Sequence, residues 1–228
     1  MIAASDQPKL DTGKKTITVN EIFYSIEGEG IHAGLPTIFI RMTGCPLRCS
    51  WCDTEYAFYE GEPFRVEHIL NEIRKYPCSR VKVTGGEPLA QKNCKFLLDA
   101  LLANGYEVFL ETSGSFPIAS LPKQVHIAMD LKAPDSKMEF RNLYENLHFL
   151  KETDEIKIVI ASYKDFLWAE HINNEYKLYE RKQPVILQPA YSILDPSMLA
   201  GWIKNSKFPF RLGLQLHKII FPDQEKGV

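Results

Sequence analysis

The chain has 228 residues, of which 45% are hydrophobic, and its 27 lysines and arginines against 29 aspartates and glutamates give a formal net charge of −2. Binding to nucleic acid depends on clustered basic residues. Because the basic pairs 14–15 and 181–182 are isolated, no direct nucleic-acid partner is expected. No apolar run reaches 18 residues and no hydrophobic segment precedes the first charges, so we expect no membrane span, no signal peptide and a cytoplasmic location.

Short apolar runs alternate with amphipathic stretches along the chain. After a polar segment, residues 1–15, that is expected to be disordered, residues 16–23 predict a strand at a sheet edge. Further strands are predicted at 37–42, 81–84, 106–111, 126–130, 155–160, 185–188 and 211–216, and helices at 66–76, 93–103, 138–150, 164–179 and 196–205. This alternation predicts one α/β domain over residues 1–228 with a mostly parallel sheet.

Unusual polar segments follow several of the predicted strands. They are T-G-G-E-P at 84–88, E-T-S-G at 111–114, D-L-K at 130–132 and Q-P at 188–189. Ligands of parallel α/β proteins bind at the carboxyl ends of the strands. We therefore expect these segments to line one shared site.

Three of the five cysteines, Cys45, Cys49 and Cys52, lie within eight positions of one loop. Cytosolic thiols stay reduced, so this spacing indicates a metal centre or catalysis rather than disulfides. Three thiolates on a [4Fe–4S] cluster leave one iron without a protein ligand, and that iron can bind a small molecule. Gly44, before the first cysteine, permits a close approach of the backbone.

The alternative for this loop is a structural zinc site, in a protein that is not an enzyme. Structural zinc takes four ligands, and the fourth would have to come from Cys78 or Cys94. Both of these cysteines have the sequence context of small buried hydrophobic residues. Five of the six histidines, at 32, 68, 126, 148 and 171, are scattered singly and are expected to be structural or exposed to solvent.

The cysteine spacing, with Trp51 before the last cysteine, resembles the signature of the radical S-adenosylmethionine superfamily, and residues 84–88 resemble its GGE motif. The segment F-Y-S-I-E-G-E-G at 23–30, together with Arg41 and the Asp53-Thr54 pair, resembles the 7-carboxy-7-deazaguanine synthase family. The segment Q-L-H-K at 215–218 and the last two residues are similar as well. The resemblance implies a trimmed, partial (β/α) barrel.

This resemblance also implies an activity. The family converts 6-carboxy-5,6,7,8-tetrahydropterin to 7-carboxy-7-deazaguanine with release of ammonia, in queuosine and deazapurine biosynthesis. The implied cofactors are a [4Fe–4S] cluster, S-adenosylmethionine and Mg²⁺. The implied partners are the pterin substrate, a flavodoxin as reductant and a second copy of the chain in a homodimer. The alternative within the same chemistry is a glycyl-radical activating enzyme, which acts on a polypeptide.

The resemblance assigns roles to individual residues. Thr54 would bind Mg²⁺, and Arg41 offers a planar fork for the substrate carboxylate. The implied cluster ligands are Cys45, Cys49 and Cys52; the implied substrate contacts are Ile26, Glu27, Gly28, Glu29, Arg41 and Thr84; and the implied S-adenosylmethionine contacts are Gly86, Glu87, Ser113, Asp130, Leu131, Lys132 and Gln188. Glu27 departs from the family pattern, because many relatives carry glutamine there. His217, Lys218 and the carboxylate of Val228 are candidates to close the pocket.

Overall fold

The computed structural model describes residues 15–224 and 226–228. The segment predicted to be disordered therefore lies, apart from Lys15, outside the described residues. All nine described strands belong to one sheet of order β3-β1-β2-β4-β5-β6-β7-β8-β9. They are β1 (Thr16–Ile26), β2 (Pro36–Met42), β3 (Glu62–Arg65), β4 (Arg80–Gly85), β5 (Glu107–Thr112), β6 (His126–Leu131), β7 (Glu155–Ile160), β8 (Ile186–Pro189) and β9 (Arg211–Leu212).

The sheet is parallel from β2 to β9, whereas β1 runs antiparallel to both β2 and β3. The predicted α/β architecture with a mostly parallel sheet is confirmed. The predicted edge position of β1 is wrong, because the short strand β3 pairs with the outer side of β1 over Thr16–Val19. The two ends of the strand order, β3 and β9, do not pair with each other, so the sheet stays open.

The inner strands alternate between two environments. In β7, Ile156, Ile158 and Ile160 pack into the hydrophobic core, whereas Lys157 lies on the opposite face beside other charged groups. In β4, Val81 and Val83 belong to the same core. Because successive side chains of a strand point to opposite faces, one face of the sheet packs on helices and the other carries polar groups.

The helices are α1 (Val66–Ile73), α2 (Cys94–Ala103), α3 (Tyr163–Glu175), α4 (Pro196–Asn205) and α5 (Leu216–Ile220). Cys94 is buried with Leu97, Leu98 and Leu101 on the inner face of α2, as expected for a small hydrophobic residue. The Cys78 thiol lies 3.3 Å from the Pro36 carbonyl oxygen and is only partly buried. No helix among the described residues combines the length and hydrophobicity that crossing a membrane requires.

Two predicted elements are wrong. Residues 138–150 form two separate 3₁₀ turns, Glu139–Arg141 and Tyr144–Phe149, rather than one helix. Oδ1 of Asn142 accepts the Lys132 N–H, and Nδ2 of Asn142 donates to the Lys132 carbonyl. Nδ2 of Asn146 donates to the Gly114 and Phe116 carbonyls. These side chains tie the segment to neighbouring loops at the expense of a continuous helix.

The predicted strand 211–216 ends after Leu212. At Gly213 the chain passes so close to β8 that an added Cβ would lie 2.7 Å from Cγ2 of Ile186. Beyond it, the Leu216 N–H donates to the Gly28 carbonyl, and residues 216–220 turn into α5. His217 and Lys218 therefore lie on a short helix and not at the end of a strand.

The loop between β1 and β2 closes one end of the polar face. Glu155, at the start of β7, accepts the Ile31 N–H at 2.8 Å with one carboxylate oxygen, and the other lies 3.1 Å from Nε2 of His126. The ring of His32 lies 5.1 Å from that of His126. Both oxygens of Glu155 are thus engaged in fixing the loop to the sheet.

These hydrogen bonds of Glu155 should make part of the stability of the fold depend on pH. Burial raises the pKa of Glu155, but the hydrogen bonds from His126 and Ile31 outweigh it and hold the pKa below its usual value. Such a carboxylate stabilises the fold above its unfolded-state pKa, and this contribution is lost as pH falls through the folded-state pKa. We expect Glu155→Gln to lower the unfolding free energy by about 2 kcal/mol at pH 7 and by clearly less at pH 4.

Urea unfolding of both proteins at the two pH values measures this difference. The matched control is Glu175→Gln, which removes the carboxylate of an exposed ion pair, 3.1 Å from Nε2 of His171. Exposed pairs contribute little, so the control should stay close to the unmodified protein. An equal loss at pH 7 and pH 4 for Glu155→Gln would contradict the role of its charge.

Candidate active site at the carboxyl ends of the strands

A cavity of about 230 Å³ opens at the carboxyl ends of the parallel strands. Most of the residues that the sequence assigned to a site line this cavity. They are Ile26, Glu27, Gly28, Glu29, Arg41, Cys45, Cys49, Cys52, Thr54, Thr84, Gly86, Ser113, Asp130, Lys132 and Gln188. Most of these residues follow or end a parallel strand, whereas residues 26–29 follow the antiparallel strand β1 and reach the same cavity from the amino end of β2, where Ile26 pairs with Pro36.

Glu87 and Leu131 do not line the cavity. Leu131 is fully buried in the hydrophobic core. Glu87 is also fully buried, and its carboxylate accepts hydrogen bonds from the hydroxyls of Thr112 and Ser113 and from the Ser113 and Leu89 N–H groups. Glu87 therefore braces β5 against the turn after β4 from behind.

The cysteine loop and the turn after β4 contact each other through their backbones. The Gly86 N–H donates to the Met42 carbonyl at 3.1 Å, and the Glu87 N–H donates to the Gly44 carbonyl at 2.9 Å. A Cβ added at Gly86 would lie 2.3 Å from the Gly44 oxygen and 2.8 Å from Cβ of Cys45. Gly44 itself has a φ of 94°, which favours glycine. Only glycines allow this approach.

The three cysteines suit a multinuclear cluster better than one zinc ion. Thiolates bound to one Zn²⁺ at about 2.3 Å lie about 3.8 Å apart in tetrahedral geometry. Among the residues that the structure describes, the sulfurs of Cys45, Cys49 and Cys52 do not all lie within 4.8 Å of one another. They are therefore not gathered as the ligands of a single zinc ion, and three thiolates of one loop on the cavity wall are the donor set that a [4Fe–4S] cluster takes.

Two buried oxygen atoms on the cavity wall lack hydrogen-bond partners within the described part of the chain. They are Oδ1 of Asp130 and Oε1 of Gln188. The other carboxylate oxygen of Asp130 lies 2.9 Å from Nζ of Lys132. Because a buried acceptor without a donor is costly, these oxygens indicate a ligand that carries hydroxyl or amino groups. The ribose and amino groups of S-adenosylmethionine meet that requirement.

A network of buried charges forms the floor of the cavity. The sequence predicted Glu111 there, within the segment 111–114, but neither Lys82 nor Lys157. Nζ of Lys157 lies 2.6 Å from Oε1 of Glu111 and also pairs with Glu29. Burial raises the pKa of Glu111, but the ammonium groups of Lys157 and Lys82 outweigh it and lower the pKa well below its usual value. A lysine between isoleucines in a buried strand was the available signal, since lysine is almost never fully buried without a partner.

The end of the chain contributes a further wall. Nε2 of Gln215 donates to Glu29 at 2.8 Å and to Asp53 at 3.1 Å, and the Thr54 hydroxyl donates to Asp53 at 2.9 Å. His217 lines the cavity, as does Val228. Lys218 does not line the cavity, and its ammonium group lies over the ring of Tyr191, which does.

Arg41 lies near the chain end, because Glu21, its partner, also accepts the Gly227 N–H at 3.0 Å. Its Nε donates to Glu21 at 2.7 Å, and its guanidinium carbon lies 5.6 Å from the ring centroid of Phe23 and 5.8 Å from that of Tyr56. The Tyr56 hydroxyl donates to the same Glu21 oxygen at 3.0 Å. The guanidinium group is therefore fixed in place at the edge of the cavity.

Residues 39–165 match the family model of the Radical SAM superfamily. A 7-carboxy-7-deazaguanine synthase of Koribacter versatilis is 38% identical over 224 residues, which cover 92% of this chain and 99% of the relative. The chain belongs to the 7-carboxy-7-deazaguanine synthase family. A second member, from Chlorobaculum tepidum, is also 38% identical, and the matched residues cover 93% of this chain and 97% of that relative.

The fold of this 7-carboxy-7-deazaguanine synthase family member has a counterpart among solved structures. The crystal structure of QueE from Escherichia coli matches it with a TM-score of 0.71 at 24% identity, over 90% of this chain and 96% of that one. The predicted partial barrel of the radical S-adenosylmethionine type is confirmed by this likeness. A [4Fe–4S] cluster and S-adenosylmethionine follow as cofactors from membership of the superfamily.

The backbone contact between the two loops yields a prediction for this synthase-family chain. Gly86→Ala should destabilise the protein by about 2 kcal/mol, because the Gly44 carbonyl cannot yield as a flexible side chain would. It should also lower the iron bound per chain after anaerobic reconstitution. Gly201→Ala in α4 is the control, since an added Cβ meets no atom within 4 Å. Normal iron content in a folded Gly86→Ala protein would contradict this account.

Proposed function

We propose that this chain converts 6-carboxy-5,6,7,8-tetrahydropterin into 7-carboxy-7-deazaguanine with release of ammonia, as a radical S-adenosylmethionine lyase of queuosine and deazapurine biosynthesis. The observation that carries this proposal is the convergence of the three-cysteine loop, the Gly86 turn and Arg41 on one cavity, in a chain that belongs to the synthase family. The bound cluster supplies one-electron cleavage of S-adenosylmethionine and thereby hydrogen-atom abstraction.

The residues of the chain hold the cofactors in a fixed relation to each other. Cys45, Cys49 and Cys52 bind the cluster through one short loop. The Gly86 backbone, pressed against that loop, leaves room for S-adenosylmethionine beside the cluster, and the buried oxygens of Asp130 and Gln188 accept its hydroxyl and amino donors.

The substrate is held by charge at both of its ends. Arg41, fixed by Glu21, pairs with the substrate carboxylate. Glu27 and Glu29 accept hydrogen bonds from the amino and N–H groups of the pterin ring. Thr84 stands beside Glu111, with its hydroxyl 3.4 Å from the carboxylate, and contacts the ring from the sheet side. A glycyl-radical activating enzyme, in contrast, needs an open groove for a polypeptide.

The test of the proposed function is an anaerobic assay with synthetic carboxytetrahydropterin, dithionite, S-adenosylmethionine and Mg²⁺. We expect a brown protein that forms 7-carboxy-7-deazaguanine. Replacing Cys45, Cys49 or Cys52 by alanine should abolish cofactor cleavage, whereas Cys78→Ala, a control outside the loop, should keep it. A colourless protein that retains stoichiometric zinc after reconstitution would rule the proposal out.

A second prediction concerns Arg41. Arg41→Ala should raise the KM for the pterin roughly tenfold or more, because a charge-assisted hydrogen bond is lost. Slow cleavage of S-adenosylmethionine without substrate should persist, since the described side-chain contacts of Arg41 are with Glu21, Phe23 and Tyr56 and not with the cysteines. Product formation and 5′-deoxyadenosine formation, measured separately, distinguish the two effects. Loss of both reactions in a folded variant would show that the role assigned to Arg41 is wrong.

In the proposed reaction, the Thr54 side chain is the protein ligand of Mg²⁺. A single neutral hydroxyl is a poor site for a hard cation, which prefers several oxygen ligands. We therefore expect Mg²⁺ to bind tightly only when the substrate supplies further oxygens. Calorimetric titration of Mg²⁺ with and without the pterin should reveal strong coupling between the two ligands. Equal Mg²⁺ affinities in both titrations would count against Thr54 as the metal ligand.

The family resemblance also suggests a homodimer, a flavodoxin as the physiological reductant and a cytoplasmic location. These remain proposals. Light scattering of the reconstituted protein measures the first, and replacement of dithionite by reduced flavodoxin in the same assay measures the second. A monomer at assay concentration would contradict the first proposal, and failure of reduced flavodoxin to support turnover in a preparation that is active with dithionite would contradict the second.

A further inference from the structure

Lys82 and Glu27 form an ion pair at the floor of the cavity. Lys82 lies in β4 between two core valines, and its Nζ lies 2.7 Å from Oε2 of Glu27. Only 8% and 6% of the two side chains are exposed. Glu27 lines the cavity, whereas Lys82 does not. The lysine therefore supports Glu27 from the side away from a ligand.

The pair is isolated from solvent, so each charge needs the other. Burial lowers the pKa of Lys82, but the carboxylates of Glu27 and Glu111 outweigh it and raise the pKa above its usual value. Nζ of Lys82 is 3.5 Å from Glu111, so Glu27 is its closer partner. Removing one member of a buried pair leaves an uncompensated charge, whereas removing both does not.

The ionisation of Glu27 matters because of what this position would contact. An amide at this position could both donate and accept hydrogen bonds, whereas a carboxylate only accepts. Oε1 of Glu27 accepts the Glu29 N–H at 3.2 Å, and this hydrogen bond fixes the orientation of the Glu27 carboxylate within the loop. An ionised Glu27 therefore suits a ligand edge that presents N–H groups and disfavours one that presents lone pairs.

We propose that Lys82 is a positioning residue that holds Glu27 as an ionised hydrogen-bond acceptor at the cavity floor, and so selects heterocycles that present adjacent N–H donors. The inference rests on the proposed function for the identity of the heterocycle, whose amino group and ring N–H supply the donors. The pairing itself is tested without any turnover.

Thermal unfolding tests the pairing. We expect Lys82→Met to lower Tm by roughly 10 °C, because it leaves the Glu27 charge buried and unpaired. The double variant Lys82→Met/Glu27→Gln should recover at least half of that loss. Lys95→Met, which removes an exposed partner of Asp99 on α2, is the control and should leave Tm nearly unchanged. Strictly additive losses in the double variant would overturn the pairing.

Equilibrium binding of the pterin, measured anaerobically with S-adenosylmethionine present, tests the selection. Lys82→Met should weaken pterin binding roughly tenfold at pH 7, and binding should improve as pH rises from 6 to 8. Burial raises the pKa of Glu27, as does the neighbouring Glu111 carboxylate, whereas the Lys82 ammonium group lowers it, so removal of Lys82 should raise this pKa further. Lys157, which pairs with Glu111 and Glu29, is the next ammonium group of the network. The unmodified protein should show little change over this range.

A purely structural role of Lys82 would lower Tm without altering the pH profile of binding, and that result would overturn the proposed selection. A pterin analogue without the 2-amino group provides the matched ligand control. It should bind the unmodified protein weakly and should bind the double variant with a smaller penalty. If the unmodified protein binds the pterin but forms no product, the proposed function fails while the selection by Lys82 and Glu27 stands. If it binds no pterin at all, both fail.

Discussion

The site depends on a balance of buried charges on the polar face of the sheet. Carboxylates and ammonium groups alternate across the floor of the cavity, each within reach of an opposite charge. They are Glu27, Lys82, Glu111, Lys157, Glu29, Asp130 and Lys132. Because buried ions are tolerated only when paired, each lysine fixes the position and ionisation of the acids beside it. A polar ligand that carries hydrogen-bond donors at one edge and a negative charge at another can bind to such a surface without breaking its ion pairs.

The cofactor end of the cavity is organised differently, by backbone rather than by charge. The turn at Gly85 and Gly86 packs on Met42 and Gly44, and hydrogen bonds from Gly86 and Glu87 hold it there. Glu87 stabilises this turn from behind through Thr112 and Ser113. The position of the cysteines is therefore set by main-chain contacts, which side-chain fluctuations do not alter.

The sequence predicted the site better than it predicted some of the fold. Cysteine spacing and the segments after the strands are local patterns, and parallel strands bring their carboxyl ends together whatever the details of the helices. The helix expected at 138–150 fails because Asn142 and Asn146 find partners far away in sequence, which no periodicity reveals. The inner lysines are similar cases, since their partners come from two strands, β5 and β6, and from the loop after β1. Glu87 was assigned a cofactor contact because the motif contains it, although its side chain faces away from the cavity.

The loop between β1 and β2 contacts both the amino ends of the strands, where Glu155 lies, and the charged floor of the cavity. Its two ends are held together, since the Glu27 N–H donates to the Leu35 carbonyl and the Gly34 N–H donates to the Glu27 carbonyl. Its tip rests on Glu155 at the amino ends of the strands, while Glu29 reaches Lys157 and Gln215. A substitution at the amino ends of the strands, where no ligand is within contact distance, can therefore change the affinity for the substrate. Distance from the cofactors is then a poor guide to which positions tolerate substitution.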